Sequence, residues 1–237
     1  MNLVKSLRLG KYFNTKPAKS GRLDRKHKGF MRSKNMEFKH TQTPFSPDSF
    51  YHIYNKGNSK ENIFFQERNY TFFLSKYEHY LIDLTETYSY CLIPNHFHLL
   101  IKIKSENELI PNHEIVQIDK NVTEKFRIFL MGYVKAINKQ EKREGSLFKR
   151  NLQIKPVIHD NHLRSLIAYI HINPVHHYLT KDFENYKWSS YRSLLSDKPT
   201  KLNRKEVIEL FDGIENFKEY HETYKNHKDI SEMIEGD

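Results

Sequence analysis

The sequence predicts an α+β fold in which an antiparallel sheet packs against helices, and three observations indicate it. Residues 96 to 104 carry an apolar side chain at every second position, which is the period of a strand with one face on the core. Residues 87 to 93 are also β-prone, and the turn signal Pro94-Asn95 separates them from that strand, so the two segments are expected to form a hairpin. Residues 70 to 84 instead show the apolar spacing of an amphipathic helix.

The composition indicates a folded protein with a sizeable core. The chain has 237 residues, of which 38% are hydrophobic, with 15 Tyr and 16 Phe, and this length allows one or two domains. One cysteine, Cys91, excludes an internal disulfide and fits a reducing compartment. No apolar run reaches the roughly 20 residues that span a bilayer. We therefore expect no membrane segment and a cytoplasmic location.

The positive charge is concentrated in the first forty residues. They hold 12 Lys and Arg against Asp24 and Glu37, which accounts for the whole formal charge of +10. We expect residues 1–44 to form a flexible basic arm that is attracted to polyanions, nucleic acid first. The alternative is a solvated tail without a specific role.

The folded domain is expected to begin at residue 45, within the proline-containing linker Thr43-Pro-Phe-Ser-Pro47. Phe50 to Asn55 is aromatic and β-prone, which predicts a first strand, and Lys56-Gly-Asn-Ser59 predicts the turn that ends it. The first helix follows over residues 67 to 84. The histidine hairpin comes next.

His96 and His98 leave the same face of the predicted hairpin strand because one residue separates them. Two imidazoles in this arrangement can converge on one metal ion. The alternative is a pair of half-exposed surface histidines. This spacing by itself does not decide between them.

A second long helix is predicted from Val122 to Gln140, after a loop over residues 105 to 121. Its lysines are typical of a solvated face. The segment Gly145-Ser-Leu-Phe-Lys-Arg-Asn151 that follows combines cations with an aromatic ring, and this combination suits single-stranded nucleic acid, whose backbone attracts cations and whose bases stack. A fourth strand is predicted over residues 153 to 158.

A third helix is predicted from Asp160, which is a plausible N-cap. Tyr169 and Asn173 are four residues apart and so share one face of this helix. Pro174 disfavours continuation, which predicts that the pair lies at the helix end. Residues 196–237 then form a charged helical C-terminal extension beyond a domain that spans residues 45–195.

These residues allow a specific chemistry. Two neutral imidazoles and an amide oxygen can hold a divalent ion such as Mg²⁺ or Mn²⁺ while leaving positions for a substrate phosphate. A tyrosine beside that ion can attack phosphorus and form a phosphotyrosine bond. The bond keeps the phosphodiester energy, so a free 3′ hydroxyl can later rejoin the strands without ATP.

The chain resembles the REP-associated tyrosine transposases, which are HUH-type single-strand DNA transposases of the insertion-sequence-200-like class. Matching stretches run in the family's order across about residues 45 to 195: Tyr51-His-Ile-Tyr-Asn-Lys-Gly-Asn58, Tyr90-Cys-Leu-Ile-Pro-Asn-His-Phe-His-Leu-Leu100, Gly145-Ser-Leu-Phe-Lys-Arg150, Tyr169-Ile-His-Ile-Asn-Pro-Val175 and Trp188-Ser-Ser-Tyr191.

The resemblance implies a ferredoxin-like antiparallel sheet of the HUH endonuclease fold, and cleavage and joining of single-stranded DNA at foldback hairpins through a 5′-phosphotyrosine intermediate. By motif position, His96, His98 and Asn173 match metal ligands and Tyr169 matches the nucleophile. The DNA-binding residues expected from the basic turn and loop are Lys56, Asn58, Lys149 and Arg150. Single-stranded and hairpin DNA are the expected partners, with a nucleoid-associated location.

Two other readings stay open at this stage. One is a hairpin-DNA-binding protein that keeps the fold and no longer transposes. The other is a His-x-His oxygenase or hydrolase acting on a small substrate, which lacks an acidic third ligand near the motif. The sequence also leaves open a monomer or a homodimer, and whether Tyr169 serves its own histidine pair or that of a neighbouring chain.

Overall fold

The computed structural model describes residues 44–109 and 117–225. Most of the predicted basic arm, residues 1–43, lies outside these ranges. So do residues 226–237 of the predicted C-terminal extension.

Four strands form one antiparallel sheet: β1 (Phe50–Lys56), β2 (Thr85–Ile93), β3 (His96–Ile103) and β4 (Gln153–Val157). Their order across the sheet is β2-β3-β1-β4, and every neighbouring pair is antiparallel. Helices connect β1 to β2 and β3 to β4, which gives the βαββαβ arrangement of a ferredoxin-like fold. The predicted α+β class and sheet are therefore confirmed.

Two helices cover one face of the sheet, namely α1 (Glu67–Leu81) and α3 (Ile118–Gln140). They pack on the apolar row that the sequence predicts for β3, and the shared core contains Phe97, Leu99, Ile101 and Ile103. The predicted helix over 67 to 84 ends earlier, at Leu81. The predicted loop over 105 to 121 contains a short helix, α2 (Glu106–Leu109), and the first turn of α3. Both segments are too short to show a helical period.

The opposite face of the sheet is covered by α4 (Asp160–His176). The interpretation of β3 as a half-buried strand is therefore wrong, because β3 is buried on both faces. The single apolar residue in its polar row, Leu100, lies in the core beneath α4.

Both ends of α4 differ by a few residues from the prediction. Its N-cap is His159, so Asp160 is the first helical residue. At the other end the helix continues through Pro174 to His176. A proline inside a helix removes one backbone hydrogen bond, but the turn around it is still closed, because the His177 amide donates to the Asn173 carbonyl at 3.0 Å. Asn173 therefore lies one turn inside the helix end.

Three further helices pack around α4: α5 (Tyr191–Leu195), α6 (Arg204–Leu210) and α7 (Ile214–Lys225). The last two belong to the segment that the sequence sets apart as a charged extension. These two helices nevertheless contribute Val207, Phe217 and Tyr224, and the residue after α6 contributes Phe211, to the apolar core around α4. Within the described ranges, no helix has the length and apolar character needed to cross a membrane.

Candidate active site

His96 and His98 lie on the face of β3 that α4 covers. They are 1% and 0% exposed, so the alternative of two half-exposed surface histidines is excluded. Their rings are nearly perpendicular, with centroids 5.1 Å apart. The tight turn at Pro94-Asn95 fixes the start of the strand, since the Asn95 carbonyl accepts a hydrogen bond from the Gly57 amide at 2.7 Å.

The helix α4 brings Tyr169 and Asn173 onto this pair of histidines. The Asn173 Oδ1 atom lies 2.9 Å from His96 Nε2, and the Tyr169 ring meets the edge of His98 with centroids 5.7 Å apart. Two residues along a strand and four along a helix both span about 6 to 7 Å. The two elements therefore match in spacing, and the structure brings together within one chain all four residues of the predicted centre.

The surroundings of His96 suit a cation. Its Nδ1 lies 2.8 Å from the Asn95 side-chain oxygen, which can only accept, so Nδ1 carries the proton. In a neutral ring Nε2 is then an acceptor, yet it faces the acceptor oxygen of Asn173 at 2.9 Å. Two ligands bound about 2.1 Å from one ion at a right angle are about 3 Å apart. The donor set therefore fits a divalent cation.

The amide is necessary to this donor set. Among the described residues, no group of three His, Cys, Asp or Glu side chains is placed to hold a metal ion. Two imidazoles and one amide oxygen leave the remaining coordination positions to substrate or water, which suits Mg²⁺ and Mn²⁺ better than a closed structural zinc site.

Sequence reasoning missed two residues of β1 that extend the site. His52 Nε2 lies 2.9 Å from His98 Nδ1, and the Tyr54 ring lies 5.5 Å from the His98 ring, roughly parallel to it. Lys155 places its ammonium group 5.6 Å from the centre of the Tyr54 ring. The same period of two that marks the histidines of β3 marks His52 and Tyr54. Only the strand pairing, Tyr54 with His98, shows that the two rows share a face.

The C-terminal end of α4 adds two more histidines. His176 lies beside Tyr169, with ring centroids 6.0 Å apart, and neither of its ring nitrogens has a hydrogen-bond partner. Burial lowers the pKa of His176, so the ring is neutral at pH 7. His177 is exposed and meets the ring of His96 at 4.5 Å. These two side chains form the end of the site that faces away from the core.

The four predicted DNA-binding residues lie together beside this centre. Lys56 pairs with His96 in the sheet, and its carbonyl accepts a hydrogen bond from the Lys149 amide at 2.8 Å. The Asn58 amide donates to the Leu147 carbonyl at 2.9 Å, which joins the turn after β1 to the loop before β4. Asn58, Lys149 and Arg150 are exposed. The paired segments therefore present a basic surface next to the start of β3.

Glycine is required in this surface at residue 57. A Cβ atom there would lie 1.9 Å from the Glu61 carbonyl oxygen, so any side chain would displace the backbone of the turn.

The aromatic ring of the loop, Phe148, does not have the exposure that stacking on a base requires. Phe148 is buried against Phe97, and it is therefore unavailable for stacking on a base.

The site is closed in this conformation. Tyr169, Asn173 and His98 are 0% exposed, and His52 is 2% exposed. A phosphate can reach the reacting atoms only if a covering element moves. Two of the covering groups are His176, in the last turn of α4, and His177, which follows that helix.

No protein-family model matches the chain, and no curated protein matches it. Among solved structures, the chain is similar to a REP-associated tyrosine transposase bound to a REP hairpin. The two are 12% identical, and the match covers 69% of this chain and 89% of that chain with a TM-score of 0.49. The ferredoxin-like assignment rests on the strand order of the chain itself.

Proposed function

We propose that the chain is a metal-dependent single-strand DNA endonuclease and strand transferase that uses Tyr169 as its nucleophile. One observation carries this proposal: β3 and α4 of the same chain bring two histidines, one asparagine and one tyrosine together, beside a basic surface. The motif resemblance supports the same chemistry and adds foldback hairpins as the substrate class.

In this mechanism His96, His98 and Asn173 would hold Mg²⁺ or Mn²⁺, and the bound ion would supply positive charge next to the oxygens of the scissile phosphate. The Tyr169 oxygen attacks phosphorus, the bond to the 3′ oxygen breaks, and the downstream 5′ phosphate becomes linked to tyrosine. Neutral His176 accepts the phenol proton, and the departing 3′ oxygen takes a proton from solvent. Attack by a 3′ hydroxyl on the phosphotyrosine bond reverses these steps and joins strands.

The basic surface positions the strand. Lys56, Lys149 and Arg150 attract phosphates without reading sequence, so they fix the register of the strand relative to Tyr169. Because Phe148 is buried, base stacking in this loop does not contribute.

The test uses a DNA hairpin with a single-stranded flank, labelled at either end, incubated with Mg²⁺ or Mn²⁺. A 3′-end label should migrate with the protein on a denaturing gel, and a 5′-end label should not, because tyrosine keeps the downstream 5′ phosphate. Tyr169→Phe should abolish the adduct. Tyr54→Phe is the matched control, since the Tyr54 ring is as close to His98 as the Tyr169 ring is. An undiminished adduct with Tyr169→Phe would show that the nucleophile is assigned wrongly.

Further arms of this assay separate metal ligands from DNA contacts. His96→Ala should lower the cleavage rate by about 10²- to 10³-fold while hairpin binding persists. The double variant Lys149→Ala, Arg150→Ala should weaken binding and reduce its dependence on salt concentration. Equal salt dependence in this variant and the wild type would exclude both residues from the DNA interface.

A second function has one observation in its favour. The reacting groups are closed to solvent, which suits a protein that binds hairpin DNA without cutting it. That function predicts hairpin binding with no strand scission and no adduct in either metal.

A further inference from the structure

The buried contact between His52 and His98 has no part in the proposed mechanism. Their nitrogens are 2.9 Å apart, the rings are inclined by 17°, and their centroids are 5.2 Å apart. In this edge-to-edge arrangement the N–H of one ring points at the lone pair of the other. Both side chains are at most 2% exposed, so water cannot substitute for either partner.

This contact selects one form of His98. An imidazole that offers Nε2 to a cation must carry its proton on Nδ1, and a partner that accepts from Nδ1 fixes both the tautomer and the rotation of the ring. His52 Nε2 is that partner here. His96 is fixed in the same way by the Asn95 side-chain oxygen, so both histidines have one nitrogen held and Nε2 directed away from that contact.

We propose that His52 is a positioning residue that orients His98 for a divalent cation, an inference that rests on the proposed function. His52 itself touches neither the cation nor the DNA. It disfavours the other tautomer and the other ring rotations of His98. The side chain of His98 therefore loses less conformational entropy when the cation binds.

Two substitutions separate this role from simple packing. His52→Phe keeps a flat ring next to Tyr54 and His98, whose ring centroids lie 4.7 Å and 5.2 Å from that of His52, but it cannot accept a proton from His98. His52→Gln loses the ring but places an amide oxygen near the former position of Nε2. A packing role predicts that Phe is tolerated better than Gln, and a positioning role predicts the reverse.

The measurement is Mn²⁺ affinity of the full chain without DNA, from the loss of the free Mn²⁺ signal in electron paramagnetic resonance. We expect His52→Phe to weaken Mn²⁺ binding by about 10- to 100-fold and His52→Gln to recover most of that loss. His79→Phe, the same change at an exposed histidine of α1, is the matched control and should leave affinity unchanged. Circular dichroism and thermal unfolding verify that each variant is folded.

The outcome for His98→Ala distinguishes the two proposals. If His98→Ala abolishes Mn²⁺ binding and His52→Phe binds as the wild type does, the positioning role is overturned and the metal site stands. If His98→Ala leaves Mn²⁺ binding unchanged, the metal site is wrong and the role of His52 falls with it. Should His52→Phe fail to fold, His52→Leu takes its place, because leucine likewise cannot accept a proton from His98. The proposal then requires that His52→Leu weakens Mn²⁺ binding and that His52→Gln recovers most of the loss; wild-type affinity in His52→Leu, or equally weak binding in His52→Gln, contradicts it.

Discussion

At the scale of single residues, Tyr178 occupies a backbone position at which glycine is the usual residue. It follows the end of α4 with φ of 57°, in the left-handed region. Its amide donates to the Val175 carbonyl and the Leu179 amide donates to the Pro174 carbonyl, which together form a Schellman motif. The ring is 89% exposed, so packing does not offset the strain. The last turn of α4, which covers the candidate site, is therefore held by a strained residue.

Replacing Tyr178 by glycine should stabilise the protein by about 1 kcal/mol, because glycine adopts the left-handed conformation without a Cβ clash. Urea unfolding of Tyr178→Gly and Tyr178→Ala measures the difference. Alanine keeps the backbone cost and removes the ring, so it should unfold at a urea concentration close to that of the wild type. If Tyr178→Gly is no more stable than Tyr178→Ala, the left-handed backbone at residue 178 does not cost stability, and the prediction is wrong.

At the scale of elements, α4 is buried between the sheet and α7. One side carries Tyr169 and Asn173 to the candidate site, and another carries His171 to α7. His171 lies 2.8 Å from both His221 and the Ser190 hydroxyl, and His221 Nδ1 donates to the Phe217 carbonyl. A buried histidine pair of this kind fixes α4 against α7 only while both rings are neutral, since neither ring can be solvated when charged.

The pair should make stability depend on pH. Burial lowers the pKa of His221 to about 4 and lowers that of His171 well below its usual range. The unfolded chain, with histidine pKa values of about 6.5, therefore binds more protons between pH 4 and 6.5, so stability falls as pH falls through this window. We expect a loss on the order of 3 kcal/mol from His221, measured by urea unfolding between pH 7.5 and 4.5.

The control for this dependence is His221→Gln, which keeps a polar side chain that does not titrate. Its stability should fall less steeply with decreasing pH than that of the wild type, while His79→Gln, at an exposed site, should match the wild type. Equal slopes for His221→Gln and the wild type would exclude the buried pair as the origin.

At the scale of the whole molecule, the candidate site is complete within one chain. The His98 and Tyr169 rings meet at 5.7 Å, and Asn173 meets His96 at 2.9 Å, without a second copy. The sheet supplies the histidines, α4 supplies the tyrosine, and the joined segments around Gly57 and Lys149 supply the basic surface.

Because the site is complete in one chain, two inactive variants should not rescue each other. A mixture of His96→Ala and Tyr169→Phe should form no more DNA adduct than either variant alone, measured on the labelled hairpin. Wild type mixed with His96→Ala is the control and should keep the adduct yield of its wild-type fraction. Restored adduct in the mixture of the two variants would show that the tyrosine of one chain serves the histidines of another.

Local pattern determined a large part of this protein. Aromatic, β-prone composition predicted β1, alternation predicted β3, and helical spacing predicted α1, α3 and α4. The spacings His96-x-His98 and Tyr169-x-x-x-Asn173 predicted that each pair shares one face. These properties follow from the repeat of a single element, so neighbouring residues suffice to predict them. The lengths of short elements, such as α2, could not be predicted because one turn shows no period.

The tertiary structure alone decided which faces meet. Strand pairing brought His52 and Tyr54 beside His98. The position of α4 buried the face of β3 that was predicted to be exposed to solvent. Burial of Phe148 and the packing of α6 and α7 on α4 were likewise decided by contacts between distant segments. The physical reason is that a side chain's periodicity tells which way it points along its own element. Which residues that side chain contacts depends on a second element, whose residue spacing and apolar surface must match those of the first.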